Sequence, residues 1–248
     1  MRRRLLSMTI FVIVATGGLW TQQTNSGVPV DNDFLPAGPF LFEPGMVRPS
    51  YMDAFGYRPL IKSPDGNAQI TITGPRESLK AWVTLQFLGQ YMQGLEYRVW
   101  PVEGGSVAVL WRPDSQAFAV TDNRYANASY VLVCGTEFRI GENEPGLGVP
   151  ITDLTPIVRK AFEGRAREYY KTDNYDIPLF YAKVLRWIAN DELLIGVSAR
   201  TSGPAASRGL GVREWDFGYL VDVPSEKVVR EVDKDQLLSE YKIKVPNY

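Results

Sequence analysis

Residues 109–122 read VLWRPDSQAFAVTD. Val, Leu and Phe flank a Pro113-Asp114 pair. Proline presets φ for the first corner of a turn, and the aspartate carboxylate bonds amides two residues on. The flanking residues suit a pleated, half-buried surface. The stretch therefore predicts a β-hairpin ending at Trp111 and restarting at Gln116. SYVLVCG and TEFRIGE follow as further strands.

The pattern recurs. IKSPDGNAQITITG (61–74) and then AWVTLQFLG (81–89) repeat the strand, turn and strand around Asp65. VLRWIANDELLIGVSA (184–199) does so again, with Trp187 before a turn at Asn190-Asp191. FGYLVDVPSEKVVREV (217–232) reads as another hairpin, turning at Pro224-Ser225. Asp65, Asp114 and Asn190 align at separations of 49 and 76 residues. Such self-similarity marks a repeated β unit, the wider gap being filled by an inserted helix.

That helix is read over 151–171, where Leu154, Ile157, Val158, Ala161, Phe162 and Tyr169 fall on one face. Asp153 is the expected N-cap, Pro156 sits in the first turn, and Arg159, Lys160, Arg165 and Arg167 are expected opposite the core. A second, short helix is expected at 233–242, with Leu237, Leu238 and Tyr241 inward. The segment 200–215, rich in Gly, Ser and Arg, reads as a long loop, the kind that serves function or disorder. Its Arg200, Arg208 and Arg213 are candidate partner contacts.

SPDG, WRPDS and the YVLV and YLVDV strands resemble the WD40-like repeats of bacterial TolB-type β-propellers, over about residues 60–232. The resemblance implies a fold used mostly for binding, often of proteins. A closed propeller needs about four blades or more, and only three units are recognisable. The expected fold is mainly β: a partial or irregular propeller-like repeat of antiparallel strands, with one inserted amphipathic helix and a short C-terminal helix. A β-sandwich is the alternative.

The first twenty residues, MRRRLLSMTIFVIVATGGLW, place Arg2, Arg3 and Arg4 before an uncharged apolar run ending at Trp20. This is the grammar of an export signal. Ala15-Thr16-Gly17 suits cleavage, while Trp20 suits the far interface of a retained anchor. Both remain open, and either way the arginines face the cytoplasm and the body lies on the extracytoplasmic side. Residues 21–60 form a lead-in with six prolines between 28 and 62, too many for a regular helix or central strand. Its Phe34, Phe40, Phe42, Tyr51, Phe55 and Tyr57 are expected to bury against the same domain or a partner. The β-repeat domain is expected over 61–248.

Composition narrows the chemistry. The chain has 248 residues, a net charge of −1, no histidine and one cysteine. Near-balanced charge argues against nucleic acid. Without histidine there is no Ser-His-Asp triad, no Cys-His pair and no His-ligated zinc within the chain. Cys134 lies among apolar neighbours and reads as a buried strand thiol. Asp65, Asp114 and Asp191 read as turn caps before catalytic carboxylates. Asp173, Asn174 and Asp176, or Asp122 and Asn123, offer calcium-type oxygens but match no known loop pattern. Trp82, Trp100, Trp111, Trp187 and Trp215 read as packing before a glycan platform, and Asn127-Ala128-Ser129 fits a chance sequon. The expectation is an exported, tethered or periplasmic protein-binding module, an accessory subunit of a membrane complex, with no cofactor and no catalytic residues. A glycan or peptide sensor is the alternative, and a carboxylate hydrolase ranks below both.

Overall fold

The computed structural model describes residues 60–73, 80–88, 96–103, 106–125, 128–137, 139–140, 147–207 and 213–243. Four strands, β1 (Leu60–Lys62), β2 (Ala68–Thr73), β3 (Lys80–Phe87) and β4 (Glu96–Glu103), form an antiparallel meander in chain order. A second meander runs through β5 (Ser106–Trp111), β6 (Ala117–Tyr125) and β7 (Ala128–Gly135). After β8 (Arg139–Ile140) and β9 (Leu147–Gly148), which pair with each other, β10 (Ile151–Asp153) adds to β7. A helix, α1 (Thr155–Tyr170), leads into a third meander: β11 (Asp176–Trp187), β12 (Glu192–Ser202), β13 (Arg213–Asp222) and β14 (Lys227–Val232). The chain then enters α2 (Lys234–Ser239).

The second and third meanders join into one eight-stranded sheet, ordered β14-β13-β12-β11-β7-β6-β5 with β10 beside β7. The joint between β7 and β11 is parallel and has one backbone pair, Phe180 with Ala128. Side chains complete it. The Ser129 hydroxyl donates to the Ala182 carbonyl at 2.6 Å and accepts from the Ala182 amide at 2.7 Å. The Val184 amide donates to Thr121 Oγ1 at 2.9 Å. Both hydroxyls are buried, so polar residues inside the sheet are kept satisfied by the backbone they join.

Alternation along the strands sets the layers. Phe118 and Val120 point to one face of β6, Ala117 and Ala119 to the other. The first face packs on the four-stranded sheet, with Ile70, Val83, Leu85 and Val99 against Val107, Val109, Phe118 and Leu132. Trp100 Nε1 crosses between the sheets to the buried carboxylate of Asp122 at 2.7 Å. The second face meets α1, which inserts Val158, Phe162 and Ala166 among Phe180, Trp215 and Phe217. Toward β14 the first face is covered by α2, with Leu237 against Leu185, Leu194 and Val232. Among the described residues the architecture is mainly β with two helices, and its two large sheets pack like a β-sandwich and close no barrel.

Several local expectations are corrected. Leu154, not Asp153, holds the N-cap position of α1 and gives no side-chain cap. Asp153 Oδ1 still accepts the Thr155 amide at 2.9 Å, so the carboxylate serves the helix start from one residue earlier. Tyr169, expected inward, is 46% exposed: it meets the edge of the core, its ring edge to face with Trp215 at 5.3 Å. Arg165, expected outward, lies over the Trp215 and Phe217 rings. In α2 only Leu237 is buried; Leu238 points to solvent at 53% exposure. Asp233 caps that helix through a reciprocal capping box with Gln236. The loop expected over 200–215 is shortened from both ends, because β12 runs to Ser202 and β13 begins at Arg213. Among the described residues no helix is long and apolar enough to cross a membrane. The export segment with Arg2, Arg3, Arg4 and Trp20 lies outside them, as do Phe34, Phe40, Phe42, Tyr51, Phe55, Tyr57 and Arg208.

Candidate functional site

The hairpin turns that open the three meanders meet at one end of the molecule. In the first, Gly66 N–H donates to Ser63 O at 2.9 Å; in the second, Ser115 N–H donates to Arg112 O at 3.0 Å. A fourth turn, between β13 and β14, repeats this with Glu226 N–H on Val223 O at 3.2 Å. Each has proline at its first corner and a left-handed residue three places after its start: Gly66 at φ 75°, Ser115 at 65° and Glu226 at 53°. This is a type I turn closed by a left-handed residue within a four-residue loop, which Ser63 N–H to Ala68 O and Arg112 N–H to Ala117 O, each 2.9 Å, close in the first two. The turn at Asn190 is one residue shorter, with Ile188 N–H on Glu192 O at 2.9 Å. It lacks proline, and it needs no left-handed residue.

Tryptophan ties consecutive units together. Trp111, three residues before Asp114, donates its indole N–H to Ile61 O at 3.1 Å. Trp187, three before Asn190, donates to Leu110 O at 3.2 Å. Ile61 and Leu110 each stand four residues before their own turn aspartate. The turns touch as well. Asp65 N–H donates to Ser115 Oγ at 3.0 Å, Arg112 Nη1 to Asn190 O at 3.1 Å, and Val223 N–H to Asp191 O at 2.8 Å.

Between the first two turns lies an open cleft of about 530 Å³, lined by Asp65, Asn67, Phe87, Gln116, Thr136 and Glu137 among others. Asp65 in this cleft and Asp114 beside it are bonded to their own turns. Asp65 accepts the Ser63 hydroxyl at 2.6 Å and the Asn67 amide at 3.0 Å, and these bonds hold its carboxyl below the ordinary range. Burial pushes Asp114 up, but the bond from Arg112, the Gln116 amide and the Arg112 charge outweigh it and bring it down. Both stay ionised while capping their own turns. Cys134 is fully buried, and burial raises its thiol. Asp122 takes the Trp100 indole, and Asp173 pairs with Arg167. No three potential ligands gather for a metal among the described residues.

The second feature is a stack at the C-terminal end of α1. The Arg213 guanidinium lies 4.2 Å from the Tyr169 ring centre and 4.6 Å from that of Trp215, and Nη1 donates to Tyr169 Oη at 2.8 Å. Arg165 lies 5.2 Å from Trp215 and 4.5 Å from Phe217, and pairs with Glu231. Burial lowers the Arg165 proton affinity, as does the like charge of Arg213. Below, Thr201 Oγ1 accepts from Trp215 Nε1 at 3.1 Å and bonds Tyr170 Oη at 2.7 Å. Burial pushes the Tyr219 hydroxyl up to about 12.

Of the residues expected to contact a partner, the described ones are Arg200 and Arg213. Arg200 is exposed on β12. Arg213 is half-buried and built into the stack. Sequence reading missed Tyr169, Trp215 and Arg165 as its companions. The signal was there in spacing: Arg213 and Trp215 are two apart on one strand face, and Arg165 and Tyr169 are four apart on one helix face. Compared with protein-family models, curated proteins and solved structures, the chain matches none.

Proposed function

We propose that this chain is an exported, non-enzymatic scaffold that binds protein, tethered to or released from the extracytoplasmic face of a membrane, as an accessory subunit of a larger complex. Its three meanders are, in this reading, propeller-like units stacked in sequence without a closing blade. One observation carries the reading: the indole-to-carbonyl contact recurs at the same offset, Trp111 to Ile61 and Trp187 to Leu110. A device repeated between consecutive units belongs to modular β repeats, and such repeats serve mainly as contact surfaces. That last step is an analogy at the level of fold. The N-terminal Arg2–Arg4 and apolar run support export. Capped turn carboxylates at Asp65 and Asp114 support a structural role for those acids over a catalytic one.

The glycan-sensor alternative has less support. Trp111, Trp187 and Trp215 are buried, and half-buried Trp100 is bonded to Asp122. Stacking on sugars needs open indole faces. The test is the native size of the protein in gently solubilised host membranes, read by gel filtration with mass spectrometry of the co-eluting chains. The expected result is elution in a large, defined complex. Elution at the monomer mass from the soluble fraction would sink the accessory-subunit reading.

A further inference from the structure

We propose that Arg213, set against the rings of both Tyr169 and Trp215, is a receptor for a carboxylate on an acidic segment of a partner protein. The inference rests on the scaffold reading above and names the chemistry of its contact.

The Tyr169 and Trp215 rings meet edge to face with centres 5.3 Å apart; Arg213 lies beside both, and Arg165 beside Trp215 and Phe217, so two guanidinium groups share the indole of Trp215. Only one of the two cations has a carboxylate. Arg165 pairs with Glu231, whereas no described acidic group lies within ion-pair distance of Arg213. A guanidinium carries five N–H donors. Among the described residues only Nη1 of Arg213 has an acceptor, the Tyr169 hydroxyl, and Nε is buried with none. Cation–π contact and the Tyr169 bond fix the plane of the group without neutralising it.

Such a fork is preorganised. Arginine ordinarily loses rotamer freedom when it binds, and here the two rings have already removed it. A carboxylate accepts two parallel N–H bonds from a guanidinium edge, in a geometry that lysine does not reproduce. The charge selects the ligand: among the described residues one cation lacks a counterion, which suits a single negative charge better than a phosphate dianion. Tyr169 is 46% exposed beside the group and offers a flat apolar wall for a bound peptide. Tyr and Arg are also the residue types that dominate protein interfaces.

The full chain, in mild detergent, is titrated by calorimetry with an end-blocked hexaglutamate peptide. Hexaglutamine and inorganic phosphate are titrated in parallel, against wild type, R213Q and R213K. Saturable binding of hexaglutamate alone is expected, weakened about tenfold or more in R213Q and by less in R213K. Hexaglutamate bound equally by R213Q, or not bound by wild type, overturns the proposal, as does a preference for phosphate. If R213Q does not keep the wild-type melting temperature, Y169A removes the exposed wall together with the ring and hydroxyl that hold Arg213, and is expected to weaken hexaglutamate binding; unchanged binding overturns the site. The two readings fail separately. Intact native complex without hexaglutamate binding removes this site and leaves the scaffold, while a free monomer that binds hexaglutamate does the reverse.

Discussion

Trp111 and Trp187 perform the same act in unlike surroundings. Each donates its indole N–H to the carbonyl of the unit before it, at 3.1 and 3.2 Å. Around Trp111 the interface is sheet on sheet and largely aliphatic, with Ile70, Val83, Leu85 and Val109. Trp187 lies on the opposite face, level with Leu193 and Val221; farther along the same face α1 covers an aromatic cluster of Phe162, Phe180, Trp215 and Phe217. Where sheet packs on sheet, branched side chains fill the gap. On the other face a helix packs on the strands, and its contact with them is ring on ring. A repeated contact therefore fixes register, while the surrounding packing is free to diverge.

The largest effect should come from breaking the aromatic side alone. Phe162 is fully buried, with ring centres 5.7 Å from Phe180, 5.9 Å from Trp215 and 6.1 Å from Phe217. Phe162→Ala removes the ring that all three touch. It should cost about 3–5 kcal/mol in denaturant unfolding. Val83→Ala in the aliphatic interface removes two methyl groups and should cost clearly less, about 1–2 kcal/mol. Equal losses would mean that the two interfaces are not packed differently in energetic terms.

The next effect tests the shared device. Trp111→Phe and Trp187→Phe each keep an aromatic ring and delete one indole N–H, leaving a carbonyl without its donor. Each should cost about 1–3 kcal/mol, combining the lost bond with lost volume. The two losses should agree more closely with each other than Phe162→Ala agrees with Val83→Ala. A large loss at one tryptophan and none at the other would break the equivalence of the units.

Much of this was legible in the chain. Pro64-Asp65, Pro113-Asp114 and Pro224-Ser225 mark turns through local chemistry, and all three occur where expected. Local rules also find α1 and α2, because their periodicity and the Asp233–Gln236 box depend on near neighbours. Three things were not legible, and each depends on distant partners. The β7–β11 joint has one backbone pair and two buried hydroxyls, Ser129 and Thr121, which read as ordinary strand residues until Ala182 and Val184 meet them. Arg165 sits on rings that arrive from β13, so its charge predicts solvent while its hydrocarbon stem and π contact favour cover. Tyr169 matches the helix period, but it lies at the rim of the core against Arg213 and Trp215 and stays half open to solvent. Of the candidate site, sequence supplied Arg213 and missed the stack that holds it.

The turns allow a finer comparison. Gly66 and Glu226 occupy the same left-handed position, and a Cβ on Gly66 would meet nothing within 4 Å. Gly66→Ala therefore reports backbone strain alone and should destabilise by about 1 kcal/mol. Glu226→Gly relieves the same strain at an exposed site and should stabilise by about 0.5–1 kcal/mol. Melting curves of the two variants should move in opposite directions. Ser115→Gly should gain less than Glu226→Gly, because it also removes the hydroxyl that accepts the Asp65 amide.

The smallest effect is electrostatic, and it separates the Pro-Asp turns from the Asn190 turn, whose corner residue does not titrate. Asp65 has its carboxyl held below the ordinary 3.8, through the Ser63 hydroxyl first and the Asn67 amide next. A carboxyl lowered in the folded state adds stability above its unfolded value and loses it as pH falls through the folded value. Asp65 is largely open to solvent, so screening keeps the effect small. Asp65→Asn keeps an acceptor and removes the charge. Its melting temperature should lie below wild type at about pH 6, and the gap should narrow between about pH 4 and pH 2. Asn190→Ala, measured against wild type over the same range, should show a gap that does not change with pH. If the Asp65→Asn gap persists at low pH, the turn is held by geometry and its charge is incidental. The Pro-Asp and Asn turns would then be energetically one kind.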